Sequence, residues 1–512
     1  MTRAVIVGSG MAGLAAGAYL AGSGCSVEIY EQADHVGGVT ATIKRDGFSW
    51  DMGPMALEGF GPGEPADRVL SELGCNHDIE SIRGDRGLFF PDFSLSRPKD
   101  YQGEHWRKEA LKKLFPKESD ALDRFFAFLE KTIDLITLER QFQVSGPLGK
   151  IPLGLGMALL WSSIKKYEPL NAQQLIDSFF TDPKLKFVFM AILADMVILP
   201  TEYPALGIPF SNQENAYDRR IPQRRALFIG PKNITYRFIK GGCGNLVEAL
   251  CRVITGRGGK IHMNRAVGRI LLEKDRAVGL ELTNGEKVDA DIVMVSGGAR
   301  ECFFKMIGRE KLPPEFAARI DDIPLMESIY IVNLGTGMDV SRYQDVPLNY
   351  YYGTYEIESG VNHTRNGVYH EGKDGFVIYI PSLHSPEMAP RGKHALTVFT
   401  IAPSALAGGW LSRKKEMTEK LLREAERIIP GLRKDAQIIE SITPTDYGKL
   451  VHLTDHHSFG GYCPIQGKSG APYKTPFRGL WFIGSQSEGG PGVWTQLISS
   501  RNVVKMVERQ SR

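Results

Sequence analysis

The chain is poor in cysteine. The six it has, Cys25, Cys75, Cys243, Cys251, Cys302 and Cys463, are scattered without a CxxC pair or any metal-site spacing. That excludes a disulfide framework and a zinc-ribbon site, and it suits a reducing, cytoplasmic setting. Charge of one sign is also lacking, since 62 Lys and Arg against 59 Asp and Glu leave a net charge of +3. So mild a balance gives no ground for a nucleic-acid partner. No apolar run is long enough to cross a bilayer, which takes about twenty residues. Residues 151–161 are interrupted by Pro152, Gly154 and Gly156, and residues 187–194 stop at Asp195. Repeats and low-complexity tracts are missing, and a hydrophobic content of 42% excludes general disorder. No secretory leader is expected, because cutting the N-terminus would destroy the first motif.

What the chain does have begins at Arg3. An apolar segment, Ala4-Val-Ile-Val7, runs into Gly8-Ser-Gly10-Met11-Ala12-Gly13 and then into an Ala- and Leu-rich stretch. A second apolar segment, Ser26-Val-Glu-Ile-Tyr, ends on Glu31. A GxGxxG alone is weak. Strand before, helix after and a carboxylate at the end of the second strand together predict a dinucleotide-binding βαβ unit. Gly8 allows the tight turn, Gly10 lets backbone approach a pyrophosphate at the helix N-terminus, and Gly13 lets helix and strand pack closely. Glu31 is expected to accept hydrogen bonds from a ribose.

The residues that follow narrow the nucleotide. Gly37-Gly38 and the segment Gly47-Phe-Ser-Trp-Asp51-Met-Gly53-Pro54 come close behind Glu31, where a nicotinamide enzyme continues into another regular βα unit. At the far end, Leu480-Trp-Phe-Ile-Gly484-Ser485 leads into Gly489-Gly-Pro-Gly492-Val493 and a closing helix. Glycines opening a helix there present free N–H groups and a positive dipole end to a polar flavin edge.

With these motifs the chain resembles the FAD-dependent amine oxidase superfamily, and within it the branch of phytoene desaturases, carotenoid isomerases and retinol saturases. The resemblance covers nearly the whole length. Tyr236-Arg-Phe-Ile-Lys-Gly241-Gly242 is similar to the family's central Gly-Gly segment, and Gly259-Lys-Ile-His-Met-Asn-Arg-Ala-Val267 to its adenine-side strand. Pro381-Ser-Leu-His-Ser-Pro386, Ala389-Pro390-Arg-Gly392 and Thr443-Pro444 with Tyr447 are similar to its later substrate region. The resemblance implies non-covalent FAD, with no cysteine in residues 484–493 for a covalent link. The cofactor contacts it implies are Gly8, Gly10, Met11, Ala12, Gly13, Glu31, Gln32, Gly38, Val39, Thr40, Gly53, Pro54, Met55, Val267, Gly484, Ser485, Gly492 and Val493. Val267 is expected to meet adenine through its backbone. Two departures from the amine oxidases proper are Val39, where they usually carry arginine, and Ser485, in place of a common Gly-Asp; small or apolar residues at the first position are frequent in the carotenoid branch.

The fold class expected is α/β: a Rossmann-like, GR2-type FAD domain with a discontinuous, mixed α+β substrate domain. The FAD domain is expected from residues 1–85, 235–310 and 450–512, and the substrate side from 86–234 and 311–449. Residues 104–142 read as helical, with Ser119 as a cap and Phe125, Phe126, Leu129, Ile133 and Ile136 on one buried face. Asn284-Gly285 predicts a hairpin. Segments near 328–333, 377–380 and 396–401 predict strands that floor a long cavity. The apolar runs at 151–161 and 187–194 are expected to be core helices of the substrate side. The first also suits a membrane surface, because Lys150, Lys165 and Lys166 flank it. Only one Rossmann loop is present, so a diffusing electron partner (a quinone, oxygen or a reduced carrier) is expected.

Flavin chemistry needs few acids or bases. Glu488, beside the closing turn, and Asp195, in an apolar stretch, are the candidate proton partners. For each, a plain surface or paired acid is the competing expectation. Trp494 is a candidate cavity wall, with ordinary burial as the alternative. Arg219 and Arg220, clustered with Arg224 and Arg225, are candidates to grip an anionic substrate end, against a solvated loop. His452, His456 and His457 lack neighbouring ligands at site spacing, so no metal is expected. The activity expected from the resemblance is oxidation or reduction of carbon–carbon bonds in an apolar isoprenoid or polyene, with desaturation favoured. Saturation, isomerisation, amine oxidation and a non-catalytic role like that of the Rab escort and GDP-dissociation-inhibitor proteins remain as alternatives.

Overall fold

The structure, a computed structural model, describes residues 1–101, 105–144, 146–212, 225–226, 230–231, 235–451, 453 and 461–510. Its organising element is a five-stranded parallel sheet whose strands come from distant parts of the chain. The order is Lys260–His262, Ser26–Tyr30, Arg3–Val7, Ile292–Ser296 and Leu480–Ile483. The Arg3–Val7 strand lies at the centre, and Ala4 through Ile6 are fully buried, because helices cover one face and a β-meander the other. All-parallel strands read as continuous apolar runs for this reason.

The helix Met11–Gly22 is buried almost all round, packed with the helices Gly244–Gly256 and Val493–Gln510. Its small residues permit the approach: a Cβ on Gly17 would stand 2.9 Å from Ile29 Cδ1. On the opposite face, the strands Val267–Glu273, Arg276–Leu282 and Lys287–Asp289 form an antiparallel meander. Its second turn is the hairpin expected at Asn284-Gly285, with Gly285 at φ +88.

A seven-stranded sheet builds the second half of the molecule, in the order Ala436–Ile442, Ser328–Thr336, His394–Ala402, Gly375–Tyr379, Leu348–Tyr352, Arg86–Phe89 and Ser94–Leu95. Alternation divides its side chains. Tyr330, Val332 and Leu334 pack under the helix Trp410–Glu426, while Ile329 and Ile331 face Val39 and Ile43 of the first half.

Helices cap one end of this sheet. Residues 104–142 are not one helix: Trp106–Leu114 ends at Phe115-Pro116, and a new helix, Ser119–Val144, follows a short turn. A proline at 116 denies its N–H to a continuing helix, and the residue before it is pushed to extended backbone. Ser119 is therefore the first helical residue rather than a cap, with φ −54 and ψ −46. Phe125, Phe126 and Leu129 are buried as expected, whereas Ile133 and Ile136 are half-buried. Of the two apolar runs, residues 187–194 lie in the buried helix Pro183–Met196. Residues 151–161 belong to the helix Pro147–Ile164, most of whose side chains are exposed, so the expectation of a core helix fails there. Among the described residues, no helix is long and apolar enough to cross a membrane.

Candidate active site

The fingerprint turn is as tight as its glycines suggest. Gly8 sits at φ +91, and a Cβ on it would meet the Ser296 carbonyl at 2.5 Å. On Gly13 a Cβ would stand 2.1 Å from the Gly8 carbonyl. Gly10 differs, because its Cβ would find nothing nearer than Ser296 Oγ at 3.8 Å. The close packing at Gly8 and Gly13 thus leaves open space in front of Gly10. The helix that starts there, with Met11, Ala12 and Gly13 in its first turn, has neither a side-chain cap nor an acid in that turn. Its amide dipoles are left to an anion such as a pyrophosphate.

Glu31 closes one side of this cradle. Its Oε2 accepts hydrogen bonds from the Ser9 N–H and hydroxyl, both at 2.7 Å, and its Oε1 accepts the Ala33 N–H at 2.9 Å. A carboxylate offers about four acceptor positions, so a ribose hydroxyl still finds room on an anion already fixed in place. Gln32 follows, half-buried, and the Arg265 N–H donates to the Glu31 carbonyl just ahead of Val267, where the meander begins.

Gly37 and Gly38, at φ +106 and +55, bring the next turn against the fingerprint: the Gly37 N–H donates to the Ser9 carbonyl at 3.0 Å. The single turn Gly38–Thr40, which includes Val39, then presents its own N-terminus beside Gly10. Gly53 packs behind it, where a Cβ would stand 2.8 Å from the Val39 carbonyl. Pro54 is half-buried and Met55 buried. From the far end of the chain, Gly484 at φ +110 turns back after the Leu480–Ile483 strand, and Ser485 is half-buried. Gly492, also at φ +110, opens the helix at Val493. The fold therefore brings fingerprint, Gly-Gly turn and closing turn into one domain, with the uncapped helix starts at Gly10 and Gly38 side by side. These residues fit FAD.

A different helix start is already satisfied. Asp51 is deeply buried and accepts from the Thr42 hydroxyl and the Cys243 N–H, both at 2.7 Å, while Thr42 Oγ1 accepts the Gly244 N–H at 2.8 Å. Burial pushes this carboxyl up to about 6 against those hydrogen bonds. The Gly241-Gly242 segment therefore locks the Thr42–Arg45 and Phe48–Asp51 hairpin onto the helix Gly244–Gly256.

The inner face of the seven-stranded sheet meets this cradle. Leu348, Val377 and Tyr379 cluster with Met55 and Phe238, and Phe399 and Ile401 with Val39 and Ile43. Phe399 and Ile401 also line a small cavity, partly open to solvent, whose walls include Phe187, Asp195, Tyr352, Glu356, His370 and Asp374. His384 is half-buried, stacked on Phe238 and bonded to Tyr379 Oη at 2.8 Å. Burial pulls it down to about 3, so it stays neutral.

Asp195 opens onto that cavity. The Tyr352 hydroxyl donates to its Oδ2 at 3.1 Å. Burial pushes the carboxyl up to about 7, opposed by the Tyr352 hydrogen bond and by the Arg86 guanidinium. Arg86 lies with its Cζ 5.5 Å from the centre of the Tyr350 ring. Asp195 is therefore neither exposed nor ion-paired in the ordinary surface sense. Arg86, Tyr350 and Tyr352 are absent from the sequence expectations; the alternation of Tyr350 and Tyr352 about Tyr351 was their only signal, since it sets both on one sheet face.

Glu488 is placed differently. It is exposed, its Oε1 accepts the Tyr473 N–H at 3.1 Å, and its Oε2 lies 3.8 Å from Arg319. Its carboxylate is committed to these surface partners and is not among the residues lining the cavity. Trp494 is half-buried against Gly59 and the core around the fingerprint helix. Arg219, Arg220 and Arg224, and His452, His456 and His457, lie outside the described residues.

Fold and cradle together define a dinucleotide-dependent flavin oxidoreductase. The chain belongs to the family of flavin-containing amine oxidoreductases, whose model matches residues 11–496. Its cofactor is FAD, and its curated relatives include members of the carotenoid desaturase and isomerase branch. They include a chloroplastic prolycopene isomerase of Daucus carota, 24% identical over 96% of this chain and 77% of its own. A 4,4'-diapophytoene desaturase of Staphylococcus aureus is 23% identical over 99% of both chains. Among solved structures, an oxidoreductase from Methanosarcina mazei aligns with a TM-score of 0.62 at 20% identity, over 98% of this chain and 100% of that one. A putrescine oxidase variant aligns at 0.63 and 14% identity over 99% of both chains. At such identities these structures speak for the fold alone.

Proposed function

We propose that this FAD-dependent oxidoreductase acts on carbon–carbon bonds of an apolar isoprenoid or polyene, in the direction of desaturation. The observation that carries the reading is the double role of Phe399 and Ile401, which pack with Val39 beside the cofactor cradle and also line the cavity. An apolar chain in that cavity would lie on an aromatic and aliphatic sheet face that reaches the cradle. The cavity's walls are mixed, with Asp195, Glu356, His370 and Asp374 beside these apolar side chains. The curated relatives named as a prolycopene isomerase and a diapophytoene desaturase support the same substrate class.

FAD, when bound, accepts or returns hydride at its N5. The protein's own residues hold the substrate against the ring face, keep water away through Phe187, Val377, Phe399 and Ile401, and manage one proton. We assign the proton to Asp195, whose carboxyl titrates near neutral pH and so holds or releases a proton at Oδ2 beside Tyr352. Glu488 has no part in this assignment. The electrons leave through a diffusing acceptor, a quinone or oxygen.

Anaerobic mixing of the yellow holoprotein with a detergent-dispersed polyene tests the reading. Bleaching of oxidised flavin, with a product containing one more double bond, is the expected result. Reoxidation of reduced flavin by the polyene would instead identify a saturase, and an unchanged flavin with a rearranged polyene an isomerase.

A further inference from the structure

We propose that Gln496 holds the ribityl chain of FAD, its side-chain oxygen accepting a hydrogen bond from a ribityl hydroxyl. The residue lies in the first turn of the closing helix Val493–Gln510, where its own N–H donates to the Gly492 carbonyl at 3.0 Å. It is only 6% exposed. Its Nε2 donates to the Gly490 carbonyl at 2.6 Å, whereas Oε1, fully shielded from solvent, has no hydrogen-bond partner among the described residues. The orientation of the amide follows from chemistry: a carbonyl only accepts, so the NH2 group must face Gly490 and the oxygen must point elsewhere. Buried acceptors are costly to leave unpaired, and folded proteins pair nearly all of them. Oε1 calls for a donor.

Position identifies the donor. Four residues further on, and so on the same side of the helix, the Ser500 hydroxyl donates to the Ala12 carbonyl at 3.0 Å. Ala12 is in the first turn of the fingerprint helix, whose uncapped start is the place for the pyrophosphate. At its tip, the Gln496 side chain is tied to the closing turn, the expected place of the flavin edge. Gln496 therefore stands between the two ends of the cradle, and the part of FAD that joins those ends is the ribityl chain. A pyrophosphate carries only acceptors and has nothing to give Oε1. Ribityl hydroxyls are donors. The other long polar side chains of residues 484–496 are engaged elsewhere: Gln486 Oε1 accepts the Ala299 N–H at 2.7 Å, and the Glu488 carboxylate is turned to Tyr473 and Arg319. The bond from Nε2 to Gly490 also fixes the direction of Oε1, so the acceptor is set in place before the cofactor arrives.

The test is cofactor exchange on the full-length holoprotein. It is brought to equilibrium with FAD analogues that each lack one ribityl hydroxyl (2′-, 3′- or 4′-deoxy), or with 3-methyl-FAD, which lacks the N–H donor of the ring. The bound flavin is then identified by mass spectrometry. The wild type is expected to prefer FAD to one of the deoxy analogues by roughly tenfold, and Gln496→Met should bind that analogue as readily as FAD. A wild type that takes up every deoxy analogue as readily as FAD overturns the proposal. That result needs no variant, so it stands even if Gln496→Met fails to fold. A preference that survives in Gln496→Met overturns the proposal too, because the hydroxyl then has another partner. Discrimination against 3-methyl-FAD that disappears in Gln496→Met would also overturn it, by moving the contact to the ring. Exchange is read without turnover, so failure here leaves the FAD fit and the redox reading standing.

Discussion

Replacing Asp195 by asparagine removes a titration that the fold should resist. The carboxyl titrates at about 7 in the cavity, against an ordinary 3.8. These values stand roughly three pH units apart, and at about 1.4 kcal/mol per unit the folded protein gives up as much as about 4 kcal/mol on going from acid to alkaline pH. The sign follows from which state binds the proton. Below about pH 4 both folded and unfolded chains are protonated, and Asp195→Asn should change stability little. Between about pH 4 and 7 the unfolded chain ionises while the folded one does not, so wild-type stability falls relative to the variant as pH rises. Above about 7 the advantage of the variant levels off at its largest value. Asparagine keeps an acceptor for the Tyr352 hydroxyl, so the comparison isolates the charge. Urea unfolding of the FAD-loaded proteins across this pH range measures the difference. The same variant should retain FAD and lose turnover by roughly a hundredfold. A stability difference independent of pH would refute the burial argument, and wild-type turnover would refute the proton assignment.

Removing only the Tyr352 hydroxyl, in Tyr352→Phe, withdraws a bond that favours ionised Asp195; the limb of the pH–rate profile set by that carboxyl should move upward from near 7. In Gly13→Ala the new Cβ would meet the Gly8 carbonyl at 2.1 Å, so purified protein should show a flavin-to-protein absorbance ratio far below wild type. Thr42→Val strips a donor from buried Asp51 and an acceptor from the Gly244 N–H. The expected cost is roughly 2–3 kcal/mol. It should be read as a lower Tm, with a larger drop at pH 8 than at pH 5 because the hydroxyl supports the ionised form of a carboxyl that titrates at about 6.

The cradle was the most legible part of the sequence, because its chemistry is local. Gly13 is required by its contact with the Gly8 carbonyl within one turn of backbone and Gly8 by its positive φ, and Glu31 lies one strand away. Strands were expected near 328–333, 377–380 and 396–401, where the seven-stranded sheet has them. What alternation does not carry is the partner across space. Asp195 stood out as a charge in an apolar run, yet its environment depends on Tyr352 and Arg86 from remote strands. Glu488 misled because nearness in sequence to the closing turn says nothing about the side-chain direction. Its N–H pairs with the Ala471 carbonyl, and its carboxylate turns to Tyr473 and Arg319. The two apolar runs looked alike as strings, and their difference lies in what packs on them: the helix Pro183–Met196 is surrounded by protein, while Pro147–Ile164 is covered on one side.

The central claim is that FAD in this cradle oxidises carbon–carbon bonds of an apolar chain. The anaerobic reductive half-reaction tests it most directly, with the holoprotein mixed in parallel with a dispersed polyene and with a primary amine while the oxidised flavin band is followed. The account predicts bleaching by the polyene and none by the amine. Protein that remains colourless after incubation with FAD, or flavin bleached by the amine alone, would contradict it.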